Sequence, residues 1–231
     1  MATDVSDLIR AVVFDLDDTL YLQKTFLDAA WNVVAEEAAR VSDVDAAKWQ
    51  KSLRYFSDLG SDKGGIIDRA VAELAPGVSV AHLVDTFKSF RPVSLNLIPG
   101  VRESLVELRA FVPIGLITDG DVEIQRAKLS ALGLTDIFDV VVLSDQAGRE
   151  FRKPSPAPFL QALDALGLEA PNVVYVGDRP DKDVLGAHAV GMRAYRVRTG
   201  EYGATEGEIP PWREASNVVE AISDLMGLIS P

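Results

Sequence analysis

The amino-acid sequence predicts an α/β fold, in which a doubly wound parallel sheet carries a helical segment inserted near its start. Two observations support this prediction. Short apolar runs, each the length of one buried strand, recur along the chain and alternate with segments of helical periodicity. Residues 21–95 interrupt this alternation with helical patterns alone. Strands that alternate with helices form a parallel sheet with helices on both faces.

Five runs are the predicted strands. Four of them are apolar, as expected for strands that are buried on both faces, and the fifth is a weaker candidate. In chain order the predicted strands cover residues 11–14, 112–117, 140–143, 173–176 and 193–197.

Helical patterns lie between the strands, and a stripe of apolar residues predicts the inward face of each helix. In the second of these helices the stripe comprises Ile124, Ala127, Ala131 and Leu134. Ser155 with Pro156 is typical of a helix start, and Gly167 of a helix end. The helices of this part of the chain are expected over residues 101–108, 121–133, 155–167, 181–190 and 216–226.

Residues 21–95 are interpreted as a separate helical domain. Apolar residues recur at helical spacing in four places, and no strand pattern is evident. Pro92, Pro99 and Gly100 punctuate the return to the strand pattern. We therefore expect a helical domain over residues 21–95 and a core domain formed by residues 1–20 and 96–231.

Composition and charge narrow the class of protein. The chain has 231 residues and a formal net charge of −12, from 23 basic and 35 acidic residues. This charge argues against nucleic acid or an anionic membrane as the main partner, since both bind basic surfaces. The absence of cysteine excludes disulfides, thiolate zinc sites and a cysteine nucleophile. Because no signal peptide or membrane span is recognisable, a cytoplasmic location is expected.

Side chains suited to phosphoryl transfer follow the ends of the predicted strands. Asp15 and Asp17 follow the first strand, Thr118 the second, and Asp178 the fourth. In extended backbone, residues i and i+2 point the same way, so these two carboxylates need a shared proton or a cation. Mg²⁺ prefers such oxygen ligands. Since parallel sheets bind ligands at the carboxyl ends of their strands, Lys153 is expected to attract a phosphate there.

Four motifs, in one order, resemble those of the haloacid dehalogenase-like hydrolase superfamily. They are Asp15-x-Asp17-x-Thr19, Thr118, Lys153 and Gly177-Asp178-x4-Asp183. The sequences around the first and the last, DLDDTLY and VGDRPDKD, are typical of its phosphatase-like branch. The resemblance covers almost the whole chain. It implies a Rossmann-like core with the first strand in the centre, and a helical cap domain in the insert.

The resemblance also implies the reaction. Asp15 would attack phosphorus to give an aspartyl-phosphate, and Asp17 would protonate the leaving oxygen and then deprotonate the hydrolytic water. For this, the pKa of Asp17 must rise relative to that of Asp15. Asp18 is interpreted as structural or solvent-facing, and Tyr21 as a candidate for lining the entrance.

The metal and phosphate ligands follow from the same resemblance. Mg²⁺ would be held by Asp15, Asp178 and, through its backbone carbonyl, Asp17. Thr118 and Lys153 would hold phosphoryl oxygens in the transition state, and Asp183 would orient Lys153 or a metal-bound water. Asp119, the residue after Thr118, departs from the Asn that the family often has there. Its part in substrate binding would therefore rest on the backbone N–H.

Three other functions stay open. A haloacid dehalogenase also forms an aspartyl ester, but that branch typically lacks a residue like Asp17, and a phosphomutase differs mainly in its cap. A non-catalytic binding or regulatory protein usually lacks a key carboxylate, whereas Asp15, Asp17 and Asp178 are all present. The sequence therefore favours a Mg²⁺-dependent phosphatase of a small phosphorylated metabolite, selected by the cap. It indicates neither the metabolite nor the oligomeric state.

Overall fold

The computed structural model describes residues 8–229 of the chain. Within this range the chain forms two compact units. One unit ends at Gln23 and resumes at Ser94, and the other comprises Lys24–Val93. The assignment of the first as a catalytic core and of the second as a cap stays a prediction.

A six-stranded sheet forms the centre of the first unit. Its strands are β1 (Ala11–Phe14), β2 (Ile114–Thr118), β3 (Val140–Leu143), β4 (Val173–Gly177), β5 (Arg193–Val197) and β6 (Arg213–Ala215). They lie side by side in the order β3-β2-β1-β4-β5-β6, and every neighbouring pair is parallel. The predicted α/β, Rossmann-like fold with the first strand in the centre is confirmed.

Nine α-helices occur in the part of the chain that the structure describes. They are α1 (Gln23–Arg40), α2 (Ala46–Asp58), α3 (Ile66–Leu74), α4 (Val80–Ser89), α5 (Val101–Arg109), α6 (Val122–Ala131), α7 (Pro156–Leu166), α8 (Leu185–Ala189) and α9 (Val218–Ile229). The ends of α7 agree with the prediction. Ser155 caps its first turn by accepting the N–H of Ala157, and Gly167 ends it in the left-handed region at φ 65°.

Burial explains why these strands form. Every residue of β1, β2 and β4 is buried, as expected for the inner strands of a parallel sheet that helices cover on both faces. On one face Phe159 of α7 packs edge-on against Tyr175 of β4, with ring centroids 4.9 Å apart. On α5 the buried residues are Val101, Leu105 and Leu108, whose spacing places them on one face of the helix.

The structure corrects three details of the predicted elements. Strand β2 begins at Ile114 rather than at Val112, since Pro113 between them has no N–H to donate to a sheet. Strand β6 has no apolar run that would have predicted it, because it lies at the sheet edge and none of its residues is buried. The helix expected over residues 181–190 is split into a π-helical turn, Pro180–Val184, followed by α8.

The inward face of α6 also differs from the predicted stripe. Its buried residues are Ile124, Gln125, Lys128 and Leu129, whereas Ala127 and Ala131 are only partly buried. Two polar side chains therefore share the buried face, which requires hydrogen-bond partners for them in the core.

Helices α1 to α4 make up almost all of the second unit, with the first residue of α1, Gln23, lying at its boundary. Their apolar faces enclose a small core in which Trp49 and Leu53 of α2 and Leu83 of α4 are fully buried. Trp31 of α1 stacks on Phe87 with ring centroids 4.7 Å apart. Both tryptophans therefore contribute to the packing of this unit. Among residues 8–229, no helix combines the length and the apolar character that crossing a bilayer would require.

Candidate active site

The motif residues meet at the carboxyl edge of the sheet. Asp15 follows β1, Thr118 ends β2, and Asp178 follows β4. The register pairs Phe14 of β1 with both Leu116 of β2 and Val176 of β4, which brings the three strand ends together. The strand order changes direction between β1 and β4, and open parallel sheets bind ligands at such a switch point.

Three carboxylates converge there, those of Asp15, Asp178 and Asp183, named the acidic cluster below. One oxygen atom of each lies within 4.8 Å of the other two, and all three residues are buried. Lys153 is the cation beside them. Its Nζ lies 2.5 Å from Asp15 Oδ1 and 2.7 Å from Asp183 Oδ1. Three ionisable carboxylates therefore face one ammonium group.

Local chain geometry places Asp183 in this cluster. In the π-helical turn the N–H groups of Asp183 and Val184 both bond to the carbonyl of Arg179, at 2.8 and 3.2 Å. The Arg179 N–H in turn donates to Asp183 Oδ2 at 3.0 Å. Gly177 leaves room for this carboxylate, since a Cβ atom there would lie 2.4 Å from Asp183 Oδ2. The glycine before Asp178 is thus needed for packing.

Lys153 is held by neighbours on three sides. Besides the two carboxylates, its Nζ donates to Tyr175 Oη at 3.0 Å, and this hydroxyl lies 3.2 Å from Asp183 Oδ1. Its backbone N–H donates to Asp119 Oδ1 at 3.2 Å. With its side chain buried and directed at Asp15, Lys153 is a fixed charge at the strand ends rather than a solvated one.

Burial opposes ionisation in the acidic cluster. It raises the pKa of Asp15 to about 8, because desolvation and the charges of Asp183 and Asp17 together outweigh the attraction of Lys153. Burial, followed by the charges of Asp183 and Asp15, also raises the pKa of Asp178 well above its usual range. Desolvation lowers the pKa of Lys153, but the neighbouring carboxylates raise it further, so that its net shift is upward. The one positive charge of Lys153 is therefore too little to offset three carboxylates.

A divalent cation fits this donor set. Hard cations such as Mg²⁺ take oxygen ligands, and the acidic cluster offers carboxylate oxygens that have too little positive charge around them. Asp15, Asp178 and Asp183 are the residues placed to hold it. Asp183, expected to orient Lys153 or a metal-bound water, contacts Lys153 and is also close enough to the other two carboxylates to be a ligand itself.

The carboxylate of Asp17 lies in a different environment, formed with Tyr21, Gln125 and Lys128 and named the Asp17 pocket below. Lys128 Nζ lies 2.7 and 2.9 Å from the two carboxylate oxygens. Tyr21 Oη donates to Oδ1 at 2.5 Å, and Gln125 Nε2 donates to Oδ2 at 2.9 Å. The side chain of Asp17, which the i, i+2 spacing predicted beside that of Asp15, is therefore not among the three clustered carboxylates, and a metal contact through the backbone carbonyl of Asp17 stays a prediction.

These donors reverse the expected order of acidity. Burial raises the pKa of Asp17, but the charge of Lys128 and the hydrogen bonds from Gln125, Lys128 and Tyr21 outweigh it, so that the pKa falls below its ordinary value. The resemblance implied that the pKa of Asp17 rises relative to that of Asp15. The side chains around the two carboxylates act in the opposite direction, because Asp17 accepts from three donors whereas Asp15 shares Lys153 with Asp183.

Thr118 and Asp119 are held at the same edge of the sheet by hydrogen bonds. Thr118 is fully buried, and its Oγ1 accepts from Gln125 Nε2 at 2.6 Å. Asp119 Oδ1 accepts from Ser144 Oγ at 2.7 Å and from the Lys153 N–H. The carboxylate that replaces the family's Asn is thus used to tie Ser144 and Lys153 to the end of β2. An Asn side-chain oxygen would accept the same two bonds.

Asp18 joins two loops. It is buried, with φ 55° in the left-handed region. Its carboxylate accepts the N–H of Gln23 at 2.9 Å and that of Glu201 at 3.2 Å, and its carbonyl accepts from the hydroxyl of Thr199. Of the two interpretations from the sequence, the structural one holds and the solvent-facing one is wrong. The expectation that Tyr21 lines an entrance is also wrong, because Tyr21 is fully buried.

Sequence reasoning missed Gln125 and Lys128. Their only signal is their spacing, i and i+3 on α6 beside the buried Ile124 and Leu129. Gln125 Nε2 also donates to the carbonyl of Asp119 at 2.6 Å, so this one amide contacts the ends of both β1 and β2. Tyr175 was missed as well, since its place within an apolar strand suggested packing alone.

Comparison with known families agrees with this geometry. A family model described as haloacid dehalogenase-like hydrolase matches residues 9–191, most of the chain. The chain belongs to the haloacid dehalogenase-like hydrolases. The family predicted from the four motifs is therefore confirmed, and so is the prediction that the chain is an enzyme.

Relatives within the haloacid dehalogenase-like hydrolases include phosphatases. The chain is 34% identical to the glyceraldehyde 3-phosphate phosphatase of Methanopyrus kandleri, over 84% of this chain and 86% of that one. It is 32% identical to the ribulose-1,5-bisphosphate 5-phosphatase of Halopiger xanaduensis, over 96% of this chain and the whole of that one. A crystal structure of a phosphatase of this family from Thermococcus onnurineus superposes with a TM-score of 0.64 at 25% identity, covering 95% of this chain and 99% of the other.

Proposed function

We propose that the chain is a Mg²⁺-dependent phosphatase that hydrolyses a small phosphorylated metabolite through an aspartyl-phosphate on Asp15. One observation carries the proposal. The acidic cluster and Lys153 lie at the same sheet edge as Asp17, which Lys128 holds in a separate pocket. This arrangement provides a nucleophile, a place for a cation and a proton-transfer group at one sheet edge. Two relatives that are named as phosphatases and match this chain over most of its length support it.

In the first step a carboxylate oxygen of Asp15 attacks phosphorus, and the bond from phosphorus to the ester oxygen breaks. For Asp17 to supply the proton that the departing oxygen takes up, it must be protonated when the ester is bound, so the negative charge of the bound phosphate would have to raise its pKa above the value that its present donors give it. In the second step a water oxygen attacks the same phosphorus while Asp17 accepts a proton from that water. The bond from phosphorus to Asp15 then breaks and inorganic phosphate leaves, which restores both carboxyl groups.

The charge balance of the edge suits this chemistry. A divalent cation held by Asp15, Asp178 and Asp183 would offset the repulsion between a carboxylate nucleophile and a phosphate dianion. Lys153, fixed 2.5 Å from Asp15 Oδ1, lies where it can also attract phosphoryl oxygens. Thr118 Oγ1 accepts from Gln125, which leaves the proton of its hydroxyl free for a phosphoryl oxygen.

We propose a phosphorylated sugar or a similar small phosphate ester as the substrate. The names of both relatives compared above give a phosphorylated sugar as the substrate. The net charge of −12 disfavours large polyanions. A small ester, by contrast, needs only the local positive charge of Lys153 and a cation.

Release of inorganic phosphate tests the proposal. Glyceraldehyde 3-phosphate, ribulose-1,5-bisphosphate and p-nitrophenyl phosphate are offered to the protein with Mg²⁺ or with a chelator. We expect turnover with Mg²⁺ that the chelator abolishes, and a phosphorylated Asp15 in acid-quenched protein by mass spectrometry. Asp164→Asn, on the exposed side of α7, is the matched control and should behave like the wild type.

Four results would contradict the proposal in different ways. Turnover that survives in Asp15→Asn would rule out the nucleophile. Chloride release from chloroacetate without phosphatase activity would indicate a dehalogenase. An isomeric sugar phosphate formed without inorganic phosphate would indicate a mutase. Undetectable turnover across a broad panel of phosphate esters, with Mg²⁺ binding intact, would contradict phosphatase activity and favour a binding protein on this fold.

A further inference from the structure

We propose that Lys128 is a positioning residue of the reaction, which holds the Asp17 carboxylate in place for proton transfer at the leaving oxygen. The inference rests on the proposed function, because it concerns the second carboxylate of that mechanism. Lys128 would not touch the substrate. It would act through Asp17.

Lys128, Tyr21 and Gln125 together hold the Asp17 carboxylate in one orientation, and these three donors are named the clamp below. Lys128 Nζ reaches both oxygens of Asp17, at 2.7 and 2.9 Å, so a rotation of the carboxylate would lengthen at least one contact. Tyr21 and Gln125 each fix one of the same oxygens. A single conformation of the carboxylate therefore satisfies all three donors.

Exposure separates the two partners of this ion pair. The side chain of Asp17 is 16% exposed, whereas that of Lys128 is 4% exposed. A substrate can therefore reach the carboxylate but not the ammonium. This difference is why we assign proton transfer to Asp17 and positioning to Lys128.

Stability alone does not account for a lysine at this position. Buried ion pairs often stabilise a protein no better than well-packed apolar residues of similar volume. The neighbouring charges of α6 show the ordinary alternative, since Arg126 and Glu123 form an exposed pair at 3.0 Å. Lys128 instead lies on the buried face, where it contacts the one carboxylate that the proposed reaction uses for proton transfer.

Gln125 links this clamp to the end of β2. Its Nε2 contacts Asp17 Oδ2, Thr118 Oγ1 and the Asp119 carbonyl, at 2.9, 2.6 and 2.6 Å. The orientation of Asp17 is thereby tied to the segment expected to bind the phosphoryl oxygens. Misplacement by about 1 Å is enough to cost about 100-fold in rate, so a loose carboxylate would transfer its proton poorly.

The test is the dependence of kcat/KM on the leaving group. The phenolate of an aryl phosphate such as p-nitrophenyl phosphate can depart without being protonated. The alcohol oxygen of an alkyl phosphate such as glycerol phosphate must take up a proton as it departs. For Lys128→Met we expect a loss of about 10- to 100-fold on the alkyl ester and of less than about 3-fold on the aryl ester. Lys128→Arg, which keeps a cation facing both oxygens, should restore most of the alkyl activity.

Asp17→Asn and the double variant Asp17→Asn/Lys128→Met distinguish the inference from the proposed function. If Lys128 acts through Asp17, the double variant loses no more on the alkyl ester than Asp17→Asn alone. A flat leaving-group dependence in Asp17→Asn would refute the acid role of Asp17 in the proposed function. A steep dependence in Asp17→Asn together with equal losses on both esters in Lys128→Met would refute only the positioning role.

Arg126→Met is the matched control on the same helix. It removes a cation from the exposed face of α6 and should leave the leaving-group dependence unchanged. Folding of each variant is checked by circular dichroism. Since the double variant removes both charges of the pair, it keeps the test decisive even if Lys128→Met alone unfolds.

Discussion

Asp15 and Asp17 are two residues apart, yet their carboxylates lie in opposite environments. In the acidic cluster, Asp15, Asp178 and Asp183 share one lysine, and burial raises the pKa of Asp15 to about 8. In the Asp17 pocket a single carboxylate has a lysine, an amide and a phenol, and its pKa is lowered despite burial. The first site is short of positive charge and the second is balanced. Only the first site therefore needs a cation.

The two environments also separate two chemical tasks. A cluster that is completed by a cation suits the nucleophile and the developing charge on a phosphoryl group. A carboxylate that the protein itself holds suits repeated proton transfer, because it needs no further ligand to stay in place. Each of the following predictions tests whether the two sites differ in this way.

The largest effect is expected for Asp15→Asn. The amide cannot form the aspartyl-phosphate, so turnover should fall by at least about 10⁴-fold, as when other catalytic nucleophiles are removed. Phosphate release under saturating Mg²⁺ measures it. Activity within 100-fold of the wild type would show that the nucleophile lies elsewhere.

Stability should respond in opposite directions at the two sites when no metal is present. Lys128→Met leaves the buried Asp17 charge unpaired, and should lower the free energy of unfolding by about 3 kcal/mol. Asp178→Asn removes one of three mutually repelling carboxylates, and should raise that free energy by about 1 kcal/mol. Urea unfolding with a chelator present measures both. Changes of the same sign would mean that the charge balance of the two sites is not as described.

The pH dependence of stability should reveal the acidic cluster. Because the pKa of Asp15 is raised from 3.8 to about 8 in the folded protein, the folded state binds more protons than the unfolded state between these values. The metal-free protein should therefore lose stability as pH rises from about 4 to about 8, and Mg²⁺ should reduce this loss. Asp17, whose pKa is lowered, contributes only below about 4, with the opposite sign. Melting temperatures at pH 5.5 and 8.5 that agree without Mg²⁺ would contradict the prediction.

The smallest effect is expected for Asp119→Asn. Its side-chain oxygen would still accept from Ser144 and from the Lys153 N–H, so kcat/KM should stay within about 3-fold of the wild type. Asp119→Ala, which removes both bonds, should lower activity further. A large loss in the Asn variant would show that the charge of Asp119, and not its hydrogen bonds, matters at this edge.

The sequence predicted what local patterns determine. The apolar strands around Asp15 and Asp178 are buried on both faces, and the capped ends of α7 use Ser155 and Gly167. These features depend on neighbours in the chain, as do the four motifs. Since the motif residues follow strand ends, a parallel sheet brings them to one edge without further information.

The remaining features depend on partners far away in the sequence. Lys128 lies 111 positions from Asp17, and on its own it resembles a solvated residue of a helix. Asp18 is buried because it accepts from Glu201, 183 positions away. The reversed acidity of Asp15 and Asp17 follows from such contacts, so sequence spacing could not predict it.

The most direct test of the two environments is a Mg²⁺ titration by isothermal calorimetry of the wild type, Asp178→Asn and Asp17→Asn. We expect Asp178→Asn to weaken Mg²⁺ binding by at least about 10-fold. Asp17→Asn keeps its backbone carbonyl and loses only a carboxylate outside the acidic cluster, so its affinity should stay within about 3-fold of the wild type. If Asp17→Asn weakens binding as much as Asp178→Asn does, the two sites are not separate and the account is wrong.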